Sequence, residues 1–360
     1  MPRESGSSLL FGWLVVVTGP IFIVGASRSG TELARSVLIR HPDIHIGVET
    51  HWFDDLRPRL RDPRAVPDAA ETERILAYLL ALRHGYGMRV GDATPEEAAA
   101  LRARWQVKGP TADDGFAAHG LLQAERAGKR IWGEKTPRHL FRVDDMLSAF
   151  SDARVLVCMR DPRGVVASYR DWRNNWFDRD ELSADQRAAI VAEERRTSRS
   201  FGLTLATLIW RSAAATALKL AARGDHRICL LRFEDLIAEP ERTCRSLADW
   251  LDVAFDPAML EVPMANSSYR AAAASHGFDV GAITSWRQRL TGDEARYIAW
   301  LARRPMARLG YDGDGEGADW RFNLRALAGL PAEVFRAFAA NRARIGNVRH
   351  FLASRIAGLR

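Results

Sequence analysis

Apolar, strand-forming residues are gathered into three short runs: Ile21 to Val24, Arg154 to Met159 (RVLVCM) and Arg227 to Phe233 (RICLLRF). Each is followed by a turn and then by residues at helical spacing. Runs this short and this apolar predict strands buried on both faces, and their alternation with helices predicts a parallel sheet. The fold class expected is therefore α/β, a parallel β-sheet flanked by helices, with ligands at the carboxyl ends of the strands. A helix is expected from Glu32 to Arg40, ending before His41-Pro42 because the residue before a proline is pushed out of the helical region. Helical spacing returns over Glu71 to Arg83 and Pro95 to Trp105, inside an Arg-, Ala-, Pro- and Glu-rich stretch from Phe53 to Lys129. That stretch, 53–129, reads as a helical insertion over the substrate site. A further helical stretch runs from Ser183 to Arg223, a flexible linker is expected at 312–317 (DGDGEG), and Ala332 to Arg360 is amphipathic and basic. The organisation expected is an extension at 1–18, one domain at 19–311, and a linker with a C-terminal helical extension at 312–360.

Composition changes this picture little. The chain has 360 residues, enough for one large α/β domain with insertions, and 47% hydrophobic with 27% charged residues is ordinary for a globular protein. Its net charge of +7 favours anionic partners, but the basic residues interleave with acids and form no aromatic-studded stripe, so nucleic acid is not expected. Nearly all of that charge is arginine; Lys108, Lys129, Lys135 and Lys219 are the only lysines. Cys158, Cys229 and Cys244 form no paired framework, and the first two fall in the apolar runs, which predicts buried reduced thiols and a cytoplasmic location. The apolar residues Leu9 to Val17 are too few for a bilayer span of ~20 residues, and a loop of functional character follows at once, so neither an anchor nor a signal peptide is expected. For the basic C-terminal helix a docking or homo-oligomer contact is favoured over peripheral attachment to a membrane.

Candidate chemistry begins at GASRSGTEL, residues 25–33. Gly25 and Gly30 satisfy the glycine spacing of a phosphate-binding loop, but Thr31 stands where the lysine belongs and the cation has moved to Arg28. A turn from strand to helix aims backbone N–H groups and the positive end of the helix dipole at one spot, which suits a phosphate or a sulfate. Ser27, Ser29 and Thr31 add hydroxyls. A tight turn with no ligand is the bland reading of this motif alone. The absent lysine, and the lack of a strand aspartate to hold magnesium, argue against ATP.

Here the sequence resembles the sulfotransferases that use 3′-phosphoadenosine 5′-phosphosulfate (PAPS). IFIVGASRSGTEL is similar to that family's 5′-phosphosulfate loop, RVLVCMRDPRGVVASYR to its second signature, and ICLLRFEDLIAEPERTCRSLADWL to the segment written R-Y-E-D-L. SWRQRLTGDEARYIAWLARRPMARLGY resembles its C-terminal stretch, so the likeness covers most of residues 20–311. The resemblance implies a P-loop NTPase-like sulfotransferase fold, nearest in motif to the tyrosine-protein and carbohydrate branch. It further implies PAPS as the sulfuryl donor, with Gly25, Ser27, Arg28, Ser29, Gly30 and Thr31 cradling the 5′ group and Arg160 and Ser168 binding the 3′-phosphate. Ser268, with Ser267, is expected as a weaker donor to the cofactor. Taken alone, Arg160-Asp161-Pro162 could be a surface ion pair before a helix and Glu234-Asp235 could be caps.

By the same resemblance Glu49 is the expected general base, with an ion-paired structural carboxylate as its bland reading and His51 as the rival base. Arg28 and Lys135, the latter in WGEKTPRHL, are the expected cations around the transferred group. The acceptor is expected to be a hydroxyl or amine on a small molecule, carbohydrate, lipid or peptide. No metal is expected, since His41, His45 and His51 fit no familiar zinc spacing. Two positions depart from the family pattern: Glu32 replaces a Thr or Ser, and Phe233 replaces the Tyr of R-Y-E-D-L. A P-loop kinase or NTPase, and a degenerate nucleotide-binding scaffold that has lost transfer, are the competing expectations.

Overall fold

The run IFIVG, Ile21–Gly25, forms the central strand β1, with all five residues buried. Strand pleating sends alternate side chains to opposite faces. Phe22 and Val24 enter an aromatic-rich core on one side, and Ile21 and Ile23 an aliphatic core on the other. Burying a large apolar side chain fully contributes ~1.5–3 kcal/mol relative to leaving it exposed, which explains why this position in the fold needs an unbroken apolar run. Strands β2 (Ile44–Gly47), β3 (Ile131–Lys135), β4 (Arg154–Met159) and β5 (Ile228–Arg232) complete a parallel sheet of order β2-β3-β1-β4-β5. The chain fills one side of β1 with β2 and β3 and then crosses to the other side at β4. That reversal opens a crevice at the carboxyl end of β1, where open α/β sheets bind their ligands. The structure, a computed structural model, describes residues 19–82, 93–171, 184–262, 277–313 and 319–345.

The three expected strands are β1, β4 and β5. The other two were hidden by their polar residues: β2 reads IHIG and β3 reads IWGEK, yet β3 is buried along its whole length between β2 and β1. Helix α1 (Thr31–Leu38) follows the loop after β1 and stops two residues short of the expected end. The insertion is helical as expected and supplies α2 (Ala69–Ala81), α3 (Pro95–Lys108) and α4 (Ala112–Arg126). Both α3 and α4 open on capping boxes, Thr94 with Glu97 and Thr111 with Asp114, each satisfying N–H groups that the first turn leaves without partners. Helix α4 was not foreseen, because Gly115 and Gly120 interrupt its pattern.

An aromatic cluster pins the segment after β2 to the sheet. Trp52 stacks on Phe116 at 5.2 Å, and Phe53 meets Phe22 edge-on at 5.8 Å. Buried Arg57 forks onto Asp113 of α4 at 2.7 and 2.9 Å. Residues 49–54 are thereby held at the end of the sheet by rigid packing.

The remaining helices are α5 (Val143–Ala149), α6 (Pro162–Arg170), α7 (Ala184–Ser200), α8 (Leu203–Ala221), α9 (Phe233–Ala238), α10 (Pro240–Trp250), α11 (Gly281–Thr284), α12 (Gly292–Arg308), α13 (Trp320–Ala328) and α14 (Leu330–Ile345). Helix α14 packs along α7 and onto α8. Its one carboxylate, Glu333, turns inward, and Oε2 accepts from the backbone N–H of Leu205 at 2.8 Å. This serves the start of α8, whose cap residue Gly202 has no side chain to offer. The extension at 1–18, residues 314–317 of the linker with residue 318, and the last residues, 346–360, lie outside the described residues. Among the described residues no single helix is long and apolar enough to cross a membrane.

Candidate active site

The loop between β1 and α1 requires unusual backbone geometry at three positions: Gly25 has φ 148°, Arg28 φ 71° and Gly30 φ 81°. A Cβ on Gly25 would lie 2.1 Å from the carbonyl oxygen of Cys158 in β4, and one on Gly30 would lie 2.4 Å from the Phe233 ring. Arg28 takes the left-handed region without being glycine, at a cost of roughly 1–3 kcal/mol. Its strained backbone aims the guanidinium across the crevice, where Nε donates to Ser168 Oγ at 3.0 Å. Gly30 gives α1 no side-chain cap, so the N–H groups of its first turn face the crevice without one. Ser29 Oγ is buried and has no hydrogen-bond partner. A buried orphan hydroxyl, an uncapped helix start and a glycine at its head together suit a phosphate or sulfate group.

Arg160 leaves the end of β4 and Ser168 lies on α6, as their spacing suggested. Arg160 donates to the carbonyl of Ala282 at 2.8 Å, and its guanidinium lies 4.2 Å over the Phe233 ring. Phe233 is thus wedged between Gly30 and Arg160, a packing role for which the missing hydroxyl is no loss. Trp210 Nε1 donates to the Arg160 carbonyl at 2.8 Å and fixes the strand end. Asp161 caps α6 through the N–H of Arg163 at 2.8 Å and pairs with the Arg163 guanidinium at 2.6 Å, a buried contact and not a surface one. Burial pushes the Arg28 guanidinium down to about 10, and Arg160 and Arg289 push in the same direction. Three like charges close enough to disfavour one another form a site that an anion would relieve. Arg289, paired with Asp171 at 2.6 Å, had not been singled out from the sequence.

On the other side of β1, the ends of β2 and β3 bring Glu49 and Lys135 together, with Lys135 Nζ donating to Glu49 Oε1 at 2.7 Å. The same ammonium lies 3.3 Å from Glu32 Oε2, and Arg35 holds the other oxygen of Glu32 at 3.0 Å. Glu32 therefore points sideways along the crevice to Lys135. Burial raises its carboxyl, while Lys135 and Arg35 oppose that rise. His51, at φ 52°, turns back so that Nε2 lies 3.3 Å from Glu49 Oε2, and Asp54 stands 3.9 Å from the other ring nitrogen. Burial alone would raise the Glu49 carboxyl, but Lys135 and His51 outweigh it and hold it well below the usual carboxylate range. Burial works against the His51 charge too, yet Asp54 and Glu49 push the imidazole up to about 9. His51 is thus an imidazolium near neutrality. It has no lone pair to offer there, which removes its advantage as a base.

A buried network that the sequence did not signal supports these groups. Glu134 Oε2 accepts from Thr50 Oγ1 at 2.6 Å and Thr136 Oγ1 at 2.8 Å, and Oε1 accepts from His139 Nδ1 at 2.6 Å. His139 and Thr136 are fully buried. The Asp54 carboxylate at the centre is held down to about 2, where His51, His139 and Arg138 overcome its burial. For Asp54 alone the sequence held a signal, the spacing Glu49-x-His51-x-x-Asp54, which puts a second carboxylate within reach of the histidine.

The His51 charge makes a prediction about stability. A folded-state value above the ordinary ~6.5 means stabilisation that is full below that value and lost as pH rises through about 9. The thermal midpoint should therefore fall between pH 7 and 10, and fall less in His51→Gln, as followed by scanning calorimetry.

The two histidines before His51 make contacts of another kind. His41 bonds the carbonyl of Ala254 at 2.9 Å and His45 lies 3.5 Å from Gln123, both structural contacts away from the crevice. Among the described residues no group of three or more histidine, cysteine or acidic side chains could hold a metal. Ser267 and Ser268 lie outside the described residues.

Comparison with known proteins gives a consistent answer. A family model described as "Sulfotransferase family" matches residues 20–257. Protein-tyrosine sulfotransferase of Drosophila melanogaster is 23% identical over 81% of this chain and 51% of its own length. Nodulation protein NoeE of Sinorhizobium fredii is 23% identical over 81% of this chain and 65% of its own. The chain thus spans about half to two thirds of these relatives. The sulfotransferase domain of the Synechococcus PCC 7002 olefin synthase superposes with a TM-score of 0.48 at 20% identity, over 81% of this chain and 94% of that one.

Proposed function

Because this chain belongs to the sulfotransferase family, we propose that it transfers a sulfuryl group from PAPS to a hydroxyl or amine acceptor and releases adenosine 3′,5′-bisphosphate. The observation that supports the reading is the crevice at the end of β1, where Arg28, bonded to Ser168 and its guanidinium pushed down by burial, Arg160 and Arg289, stands beside the uncapped start of α1, with an ionised carboxylate at the crevice edge. PAPS supplies the sulfuryl group and a phosphate leaving group. Gly25 to Thr31 would hold its 5′ end through backbone N–H groups, with Ser29 Oγ as a further donor, and Arg160 with Ser168 its 3′-phosphate.

Glu49 takes the acceptor proton. Its side chain keeps 36% of its surface open, enough for an acceptor to reach it, and its negative charge is secure at any physiological pH. A carboxylate this well paired is a weak base until a cation leaves it. Lys135 is the cation that can move, since a primary ammonium on a flexible stem can turn from Glu49 toward charge developing on the leaving oxygen. Arg28 remains fixed by Ser168 and its backbone. His51 stays charged and keeps the Glu49 carboxylate aimed outward.

The reading is tested by ligand-induced stabilisation. Adenosine 3′,5′-bisphosphate at about 100 times its Kd should stabilise the protein by ~2.7 kcal/mol without magnesium, read as a rise in thermal midpoint. Magnesium-ATP should do much less; equal stabilisation would favour a kinase or NTPase. Bisphosphate binding without transfer of label from PAPS to any alcohol, sugar, lipid or peptide acceptor would favour a degenerate scaffold.

A further inference from the structure

Glu32 is the residue the proposed reaction leaves unexplained. It puts a carboxylate in the first turn of the helix whose amino end would face a polyanion, where a hydroxyl would serve better. Being acidic at that position suits the helix dipole, but the dipole would be satisfied by the ligand itself. The side chain is nearly buried and lies between two cations, so its placement is specific: Oε1 takes Arg35 at 3.0 Å and Oε2 faces Lys135 at 3.3 Å. Arg35 is itself anchored, with Nε donating to the carbonyl of Ile46 in β2 at 2.9 Å. The result is a row of alternating charges, Arg35, Glu32, Lys135, Glu49 and His51, that runs along the crevice from α1 to the end of β2.

In that row the Lys135 ammonium is shared between two carboxylates. We propose that Glu32 is a positioning residue that offers Lys135 a second carboxylate, so that the ammonium, bonded to Glu49 at 2.7 Å with Glu32 at 3.3 Å, is shared between the two and is freer to leave Glu49 during the reaction. The inference rests on the sulfuryl-transfer reading for the roles of Glu49 and Lys135, and adds a residue that acts only through the lysine. Two opposed consequences follow from one negative charge. Glu32 weakens binding of the anionic cofactor by repulsion, and it speeds the chemical step by dividing the Lys135–Glu49 pair.

Glu32→Gln keeps size and hydrogen-bonding capacity and separates those effects. With the chain labelled at lysine Nζ, only four lysines give signals, and the Lys135 signal should move in Glu32→Gln while those of Lys108, Lys129 and Lys219 stay. This readout does not depend on turnover, so it tests the contact even if no acceptor is found. In turnover with PAPS, kcat should fall about tenfold while the Kd of adenosine 3′,5′-bisphosphate tightens about threefold, and Glu32→Asp should recover part of kcat. A merely structural residue would weaken both. An unmoved Lys135 signal, an unchanged kcat, or a joint loss of kcat and affinity overturns the proposal. Failure of the wild-type protein to bind the bisphosphate would instead count against the sulfuryl-transfer reading, and the lysine signal would still decide the positioning role.

Discussion

Glu49→Gln should lower kcat by roughly 100- to 10,000-fold, the range lost when a positioned general base is removed. Its Kd for adenosine 3′,5′-bisphosphate should stay within about twofold, since Glu49 is no part of either anion cradle. Glutamine keeps the shape of the side chain and can still accept from Lys135 Nζ, which now lies 2.7 Å from Oε1. What it cannot do is take a proton. Steady-state turnover beside calorimetric titration of the bisphosphate separates the two quantities. Full turnover in Glu49→Gln would place the base elsewhere. In the wild-type protein His51 is a poor base, because Asp54 and Glu49 hold it charged up to about 9; in the variant Asp54 alone is left to do so.

Gly25→Ala carries the second large effect, and it acts on the fold before it acts on the site. Gly25 ends β1 at φ 148°, a conformation that side-chain-bearing residues rarely take, and a Cβ there would meet the Cys158 carbonyl at 2.1 Å. That oxygen belongs to the backbone of β4, paired with β1 in parallel register, so it cannot turn aside as a flexible side chain could. Relief requires parting the two central strands at the point where both anion sites begin. The expected loss is at least ~4 kcal/mol, at the upper end of single substitutions. Gly128→Ala is the control: φ is 68° but nothing lies within 4 Å, so the cost should be only about 1 kcal/mol. Chemical denaturation of the two variants gives the comparison.

These two residues also show what a sequence displays and what it conceals. Gly25 was visible because its constraint is local: a strand must turn into a helix within a few residues, and the glycine spacing records it. Arg28 was visible for the same reason, whereas Arg160 and Ser168 were singled out by the family resemblance. Strands β2 and β3 were not visible, since their burial depends on partners distant in sequence. His45 reaches toward Gln123, and Glu134 is satisfied by Thr50 and Thr136. A polar strand looks like a loop until those partners are in place. The charge row from Arg35 to His51 was concealed more completely, because it draws on α1, β3 and the segment after β2. Glu32 had looked like an intruder in the cofactor cradle. Its contacts with Arg35 and Lys135 give it a direction that only the packed sheet supplies.

The inward turn of Glu333 reaches further than the helix it caps. By serving the start of α8 it steadies the helix that carries Trp210, and Trp210 holds the carbonyl of Arg160. The last described helix is therefore tied by three residues to the second anion cradle, across the body of the protein. A shortened protein ending near residue 313 would lose that tie and leave the first N–H groups of α8 unserved. Its damage should be felt first at Arg160, well away from the cut, so the C-terminal helices act as a brace for the end of β4.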